Sequence, residues 1–206
     1  MNRPDSQKQI EKRMLEASPN AVFITSDFFD IADTPAVNKA LSRLAENGTI
    51  RRVIRGVYDR PHFSELLQEY AAPSMSEVAK AIARNYGWKI TPCGDTALNL
   101  LGLSTQVPAV WRFVSDGPYR AYQVGQSTLR FQHSANRDLA GMSEKSAMVV
   151  QALKALGRDQ IEPTHLRKLA RLLSDQEKQE LLTQTQHSTS WINETAKAIC
   201  QTEAKE

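Results

Sequence analysis

Basic side chains concentrate in one short stretch of the sequence, where they could neutralise the phosphates of a nucleic acid. Residues 39–60 hold six basic and two acidic residues, whereas residues 1–70 as a whole hold ten of each. Proteins that neutralise phosphates with Lys and Arg gain affinity that is independent of base sequence and falls with salt. The position of the charge, more than the net charge of +3, therefore raises the hypothesis of a phosphate-backbone ligand.

A helix between Asp33 and Gly48 is predicted to carry the first of these cations. Asp33 or Thr34 can cap it, and Pro35 suits the first helical position because an N–H there would have no partner. Gly48 stands where a left-handed terminating residue is favoured. Apolar residues recur at intervals of four and three, which places them on one inward stripe. They are Val37, Leu41 and Leu44, with Ala40 beside them.

The polar residues of this helix are predicted to lie on its outward face. They are Asn38, Lys39, Ser42 and Arg43. Asn and Arg side chains form bidentate hydrogen bonds with adenine and guanine edges in the major groove. Asn38 and Arg43 are therefore predicted to read bases, whereas Lys39 and Ser42 are predicted to approach base edges or groove-lining phosphates.

A β-hairpin around Gly56 is predicted directly after the helix, because β-branched residues flank the glycine. Its arginines are predicted to bind mainly phosphate. They are Arg51, Arg52 and Arg55. Arginines in a hairpin can also protect a sheet edge from aggregation, and a polar helix face is usually only solvated. The combination of a capped helix, a glycine stop and an arginine-rich hairpin favours DNA contact over these structural explanations.

The elements upstream complete a three-helix module over residues 1–72. Ser6 is predicted to cap a helix running to about Ala17, and a short strand follows. Thr25 or Ser26 could cap a second, short helix, whose start would then offer a weak phosphate contact. Three helices followed by a hairpin predict a winged helix-turn-helix, with the third helix in the major groove and the hairpin on the backbone or minor groove.

A second module is predicted over residues 73–206. Ser74 and Glu77 have capping-box spacing at its start, and Ser174 and Glu177 repeat that spacing farther on. Strand-like runs separated by turn residues predict a small antiparallel sheet, and helices with apolar repeats follow it towards the C-terminus. The chain is therefore predicted to be an α+β protein with two domains.

Catalytic signals are absent from the sequence. It lacks the glycine-rich nucleotide-binding motifs and the H-E-x-x-H zinc motif. Its histidines, which are His62, His133, His165 and His187, show no zinc-ligand spacing with each other or with either cysteine. No neighbouring histidine is present to activate Cys93, so a buried structural thiol is the favoured interpretation. No catalytic residue, metal or cofactor is predicted, and the protein is not expected to be an enzyme.

The two cysteines, Cys93 and Cys200, favour reduced thiols in the cytoplasm over a disulfide framework. The N-terminal residues have no apolar core after their charges, so no secretory signal is predicted. No run of about 18 apolar residues predicts a membrane span. A cytoplasmic protein without a membrane partner is expected.

Three arginines of the second module have no single interpretation. They are Arg112, Arg120 and Arg130, all on predicted strands. They can be solvated residues on strand faces, which is the ordinary case for charged side chains. They can also extend a DNA-binding surface or bind an acidic partner.

Two stretches of the sequence resemble the AbiEi-like antitoxins of type IV toxin–antitoxin systems. The first is ALSRLAENGTIRRVIRGVYDRP, which includes the Arg55-Gly56-Val57-Tyr58 turn. The second is ALNLLGLSTQVPAVWRFVSDGPYRAYQVGQSTLRFQHS, which includes the segments 102–108 and 115–118. The resemblance extends to about Gly157.

The resemblance implies a two-domain autoregulator whose winged helix binds inverted repeats in double-stranded operator DNA. It implies DNA contact by Asn38, Lys39, Ser42, Arg43 and the hairpin arginines, possible pairing of two copies on the DNA, and a second domain that counteracts a nucleotidyltransferase-like toxin. The toxin-type signature, a Gly-Ser followed by paired acids, is missing from this sequence, which agrees with the antitoxin role. Direct contact with the toxin stays open.

Two other functions compete with this interpretation. A protein-interaction module would neutralise a partner by direct contact and would not bind DNA. An enzyme acting on the toxin or on a nucleotide ranks last, because the sequence offers no catalytic signature.

Overall fold

The computed structural model describes residues 6–66, 68–134 and 141–202. The chain forms two compact units. The first comprises the residues up to Trp88 together with Gln123–Gly125, and the second comprises Lys89–Tyr122 and the residues from Gln126 on. Helices and small sheets occur together, so the protein is a mixed α+β structure, as predicted.

The first unit combines helices with short antiparallel strands. Its helices are α1 (Ser6–Glu16), α2 (Thr34–Glu46) and α3 (Met75–Tyr86), and a 3₁₀ turn spans Thr25–Phe28. Its strands are β1 (Val22–Ile24), β2 (Arg51–Ile54), β3 (Val57–Asp59), β4 (Phe63–Ser64) and β5 (Glu69–Tyr70). Strands β1, β3 and β2 form a sheet in that order, and β4 pairs with β5.

Helix α2 begins and ends where its sequence signals predict. The Asp33 carboxylate accepts a hydrogen bond from the Ala36 N–H at 3.0 Å, which makes Asp33 the N-cap. Thr34 is the first helical residue, so Pro35 occupies the second helical position and not the first as predicted. Its missing N–H still costs nothing there, because the first four N–H groups of a helix have no intrahelical partner. Gly48 follows the helix with a φ of 74°, the left-handed conformation that glycine adopts readily.

The inward stripe of α2 packs into the core of the first unit. Val37 and Leu41 are fully buried, and helix α1 packs against them with Ile10 and Met14. Burying this stripe is what fixes the opposite face of α2 towards solvent.

Replacing Asp33 by Ala should lower the unfolding free energy of the first unit by about 1 kcal/mol, because the Ala36 N–H loses its acceptor. The measurement is amide hydrogen exchange of α2 in both proteins. Thr34→Ala is the matched control, since this exposed neighbour makes no cap, and it should change exchange much less. Equal effects of the two changes would contradict the capping role.

Helix α3 belongs to the first unit, although the predicted boundary lay before it. The guanidinium of Arg84 donates hydrogen bonds to the Asp27 carboxylate, at 2.8 and 3.1 Å, and to the Val22 carbonyl at 3.3 Å. Ser74 caps the helix by accepting from the Glu77 N–H, as its spacing predicts. The compact units therefore divide after residue 88 and not after residue 72.

The second unit places helices beside one sheet. Its helices are α4 (Asp95–Leu100), α5 (Glu144–Leu156), α6 (Pro163–Leu172), α7 (Asp175–Gln184) and α8 (Ser190–Gln201). The strands of its sheet are β6 (Ile90–Pro92), β7 (Val110–Ser115), β9 (Ser127–His133) and β8 (Arg120–Val124), of which the last two residues are counted in the first unit. The predicted capping box of Ser174 and Glu177 is present at the start of α7.

The sheet of the second unit is mixed, so the prediction of an antiparallel sheet is wrong. Its strand order is β6-β7-β9-β8, with β6 antiparallel and β9 parallel to β7. Strand β9 follows β8 through a two-residue turn at Gly125, yet it enters the sheet between β7 and β8. Turn residues indicate where a strand ends, but they do not indicate which neighbour it pairs with.

In the part of the chain that the structure describes, no helix has both the length and the apolar character needed to cross a bilayer.

Candidate nucleic-acid interface

Helix α2 presents a polar face to solvent. The four residues predicted to contact DNA from this helix are all exposed, and they are Asn38, Lys39, Ser42 and Arg43. They are spaced as two i,i+4 pairs, so they occupy adjacent rows on the same side of the helix. The structure therefore brings together the helical residues that the sequence singled out.

The two cations of this face differ from its two neutral residues in their bonding. Ser42 donates its hydroxyl hydrogen bond to Glu46 at 3.1 Å, and Asn38 accepts one from the Thr25 hydroxyl at 3.3 Å. Within the described residues, the side chains of Lys39 and Arg43 have neither a hydrogen-bond partner nor an ion-pair partner. Their charge is thus available to an external anion.

Arg51 holds the hairpin together and does not offer a free cation, which corrects its predicted role as a phosphate contact. Its guanidinium forms a two-point ion pair with the Asp59 carboxylate and donates a further hydrogen bond to the Ala71 carbonyl at 3.0 Å. The Asp59 side chain is only 6% exposed and that of Arg51 only 32% exposed. A buried carboxylate needs such a partner, because an unpaired buried charge is strongly destabilising.

Arg52 and Arg55 remain on the surface of the hairpin. Arg52 is exposed and lies over the Tyr58 ring, with its guanidinium carbon 6.0 Å from the ring centroid. Arg55 is exposed at the turn, where Gly56 has a φ of 77°. No described residue pairs with the Arg55 guanidinium, so it is a third available cation in addition to Lys39 and Arg43.

Thr25 and Ser26 do not cap a helix, contrary to the prediction. They lie inside the 3₁₀ turn, whose start is closed by the Asp27 carboxylate accepting from the Ile24 N–H at 2.9 Å. Thr25 instead supports Asn38 through their hydrogen bond, and Ser26 is exposed. A four-residue turn is too short to have the dipole on which the predicted phosphate contact depended.

Asp59 is the structurally important residue that sequence reasoning missed. The strands β2 and β3 place Arg51 directly opposite Asp59, with one register shift between Arg52 and Ile54. Opposite charges on the two strands that flank a predicted hairpin turn are the signal that could have found this pair, although the register shift places Arg51 five residues before Gly56 and Asp59 three residues after it.

Other reactive side chains give no catalytic arrangement. Burial raises the pKa of the Cys93 thiol, so this thiol stays protonated and is a poor nucleophile at neutral pH. His133 is hydrogen bonded to the Gly117 carbonyl, and His165 accepts from the Glu162 N–H. Within residues 6–66, 68–134 and 141–202, no group of three or more His, Cys, Asp or Glu residues could hold a metal ion.

Comparison with known proteins gives a family but no activity. A search of curated proteins finds no match. Among solved structures, the crystal structure of the RV2827C protein from Mycobacterium tuberculosis is similar, with a TM-score of 0.46 and 14% identity, over 96% of this chain and 76% of that chain. The model of DUF6088, described as a family of unknown function, matches residues 9–181, which is most of the sequence. The chain therefore belongs to the DUF6088 family.

Proposed function

We propose that the first unit is a winged helix that binds double-stranded DNA, with α2 as the recognition helix and the β2–β3 hairpin as the wing. The order α1, β1, 3₁₀ turn, α2, β2, β3 supports this assignment, and so does the sheet order β1-β3-β2. The 3₁₀ turn then takes the place of the second helix. In this arrangement α2 enters the major groove and the hairpin lies on the backbone beside it.

The observation that carries the proposal is the set of exposed cations on α2 and the hairpin. Lys39, Arg43 and Arg55 have no partner among the described residues, and Arg52 is exposed beside Tyr58. An unpaired surface cation gains most from a dense polyanion, because its binding releases condensed counterions. Arg51 acts in this scheme by fixing the hairpin that carries Arg52 and Arg55.

At the level of the cell, we propose an antitoxin that represses its own type IV toxin–antitoxin operon. The resemblance to AbiEi-like antitoxins supports this step, and inverted repeats would hold two copies side by side. The protein would then act in the cytoplasm, where operator DNA and a nucleotidyltransferase-like toxin are found. The proposed role is binding and not catalysis.

Fluorescence anisotropy with the DNA upstream of its own gene tests the proposal. Arg43→Gln and Arg55→Gln should each weaken binding about 5- to 30-fold, corresponding to about 1–2 kcal/mol. Arg43→Gln should also reduce the preference for this DNA over a shuffled duplex, whereas Arg55→Gln should weaken both alike.

Arg167→Gln is the matched control, because Arg167 is an exposed arginine on α6 of the second unit. It should bind DNA as the wild type does. If all three variants bind equally well, the cations of α2 and the hairpin are not the DNA surface.

A second candidate function is partner binding through the β4–β5 hairpin. Leu66 is 92% exposed and Tyr70 65% exposed, and the Tyr70 ring meets that of Phe63 edge-on at 5.4 Å. Exposed apolar groups gathered in one place favour protein contact. Co-purification with the product of the neighbouring gene separates the two functions. Partner binding would be favoured by three results together. The complex would survive Arg43→Gln, it would be lost in Leu66→Asp, and the wild type would not bind DNA.

A further inference from the structure

A polar cavity lies within the second unit, apart from the residues proposed to bind DNA. Its volume is about 400 Å³, and it is lined by strands β7 and β9, by helix α5 and by the segment before α4. The lining side chains that carry polar groups are Cys93, Arg112, Arg130, Gln132, Gln151 and Lys154. A cavity of this size accommodates a small molecule as large as a nucleotide.

Parallel pairing of β7 and β9 places two arginines side by side at this cavity. Arg112 is in register with Arg130, so both side chains project from the same face of the sheet. Like charges in such neighbouring positions destabilise a sheet. The nearest described carboxylate is Asp95, 3.9 Å from Arg112 and 75% exposed, which makes this ion pair weak. Arg130 has no described partner at all.

Lys154 on α5 adds a third positive charge to the cavity lining. No carboxylate is found among the lining residues that the structure describes. Three cations on two strands and a facing helix favour an anion that carries more than one negative charge. A guanidinium group can donate two parallel hydrogen bonds to the oxygens of one phosphate, whereas a lysine ammonium cannot form this paired geometry.

Gln151 supplies independent evidence for a ligand. Its side chain lines the cavity and the residue is only 7% exposed. Within the described residues, its amide has no hydrogen-bond partner. The amide atoms themselves stay accessible from the cavity, so they can hydrogen bond to a ligand that enters it.

We propose that this cavity binds the phosphate groups of a small phosphorylated molecule, with Arg112 and Arg130 on the phosphate oxygens and Lys154 and Gln151 completing the site. The amide of Gln132 lies on the same strand face as Arg130, two residues along β9, and offers a further donor. No aromatic side chain is among the described lining residues, so recognition is directed at phosphate and not at a stacked base.

Isothermal titration of the full-length protein with pyrophosphate, AMP and ATP at low salt tests the site. The wild type should show saturable binding, and Arg130→Gln should weaken it at least 10-fold. Gln151→Leu leaves the net charge unchanged and keeps the size of the side chain, but it removes the amide, so it should weaken binding several-fold. Arg120→Gln is the matched control on β8 of the same sheet and should stay within 2-fold of the wild type, because Arg120 does not line the cavity.

The two proposed sites are distinguished by crossing variants and ligands. A Lys39→Gln, Arg43→Gln, Arg55→Gln protein should keep its pyrophosphate affinity, and Arg130→Gln should keep its DNA affinity. Because pyrophosphate, AMP and ATP are titrated separately, their relative affinities show whether the site accepts inorganic phosphate groups, nucleotides or both. If none of these ligands shows saturable binding, if Arg120→Gln weakens it as much as Arg130→Gln, or if only duplex DNA binds, the proposal is overturned.

Discussion

Arg51→Ala should lower the unfolding free energy of the first unit by about 3 kcal/mol, although the Arg51 side chain is still 32% exposed. The change leaves the Asp59 carboxylate buried without its two-point partner, and it removes the hydrogen bond to the Ala71 carbonyl. The unfolding free energy of Arg51→Lys should lie between those of the wild type and Arg51→Ala, because one ammonium cannot reproduce the paired geometry of a guanidinium.

Urea denaturation together with hydrogen exchange of strands β2 and β3 measures this effect. Arg55→Ala is the matched control, since that exposed arginine has no described partner, and it should cost less than about 0.5 kcal/mol. A loss in Arg51→Ala that is no greater than in Arg55→Ala would show that the ion pair with Asp59 does not stabilise the hairpin.

Leu41→Ala should destabilise the first unit by about 3 kcal/mol, within the range for a large-to-small change in a core. Leu41 is fully buried and lies on the inward stripe of α2, among Ile10, Met14 and Phe28. The cavity left behind would loosen the contact that sets the direction of the outward face. DNA binding should therefore weaken with temperature sooner in this variant than in the wild type.

The same substitution at Leu15 provides the control, because Leu15 is 46% exposed on α1. Leu15→Ala should lower the unfolding free energy by less than about 1 kcal/mol. Hydrogen exchange of α2 at several urea concentrations gives both values. Equal protection of α2 in the two variants would rule out the packing role assigned to Leu41.

Helix α2 and its orientation were predictable because local signals agree there. A side-chain cap, an apolar stripe and a left-handed glycine all point to the same helix, and each acts within a few residues. The exposure of Lys39 and Arg43 follows directly from the burial of Val37 and Leu41 on the other side.

The role of Arg51 was not predictable from composition, because it depends on pairing across the hairpin. Arg51 and Arg52 are adjacent and identical in type, yet only Arg51 faces the buried Asp59 carboxylate. The register of β2 and β3, including its shift after Arg52, decides which arginine becomes a structural residue. The charge count of residues 39–60 does not distinguish Arg51 from Arg52.

The cavity of the second unit depends on contacts that are more distant still. The sequence singles out Arg112 and Arg130 but cannot place them together, because it predicts antiparallel strands and the structure pairs β7 with β9 in parallel. Lys154 falls on the exposed part of an otherwise buried helix and carries no sequence signal of its own. Topology, which local patterns do not specify, brings these three cations to one cavity.

The salt dependence of DNA binding tests the central claim most directly. The slope of log association constant against log salt should be shallower by about 1.8 in the Lys39→Gln, Arg43→Gln, Arg55→Gln protein than in the wild type. Lys39 and Arg55 each lose a phosphate contact that contributes about 0.9, whereas Arg43 is assigned to base edges. Both proteins are measured on the same upstream duplex, with circular dichroism showing equal folding. Identical slopes for the two proteins, or no binding by the wild type at about 50 mM salt, would contradict the assignment of these cations to DNA.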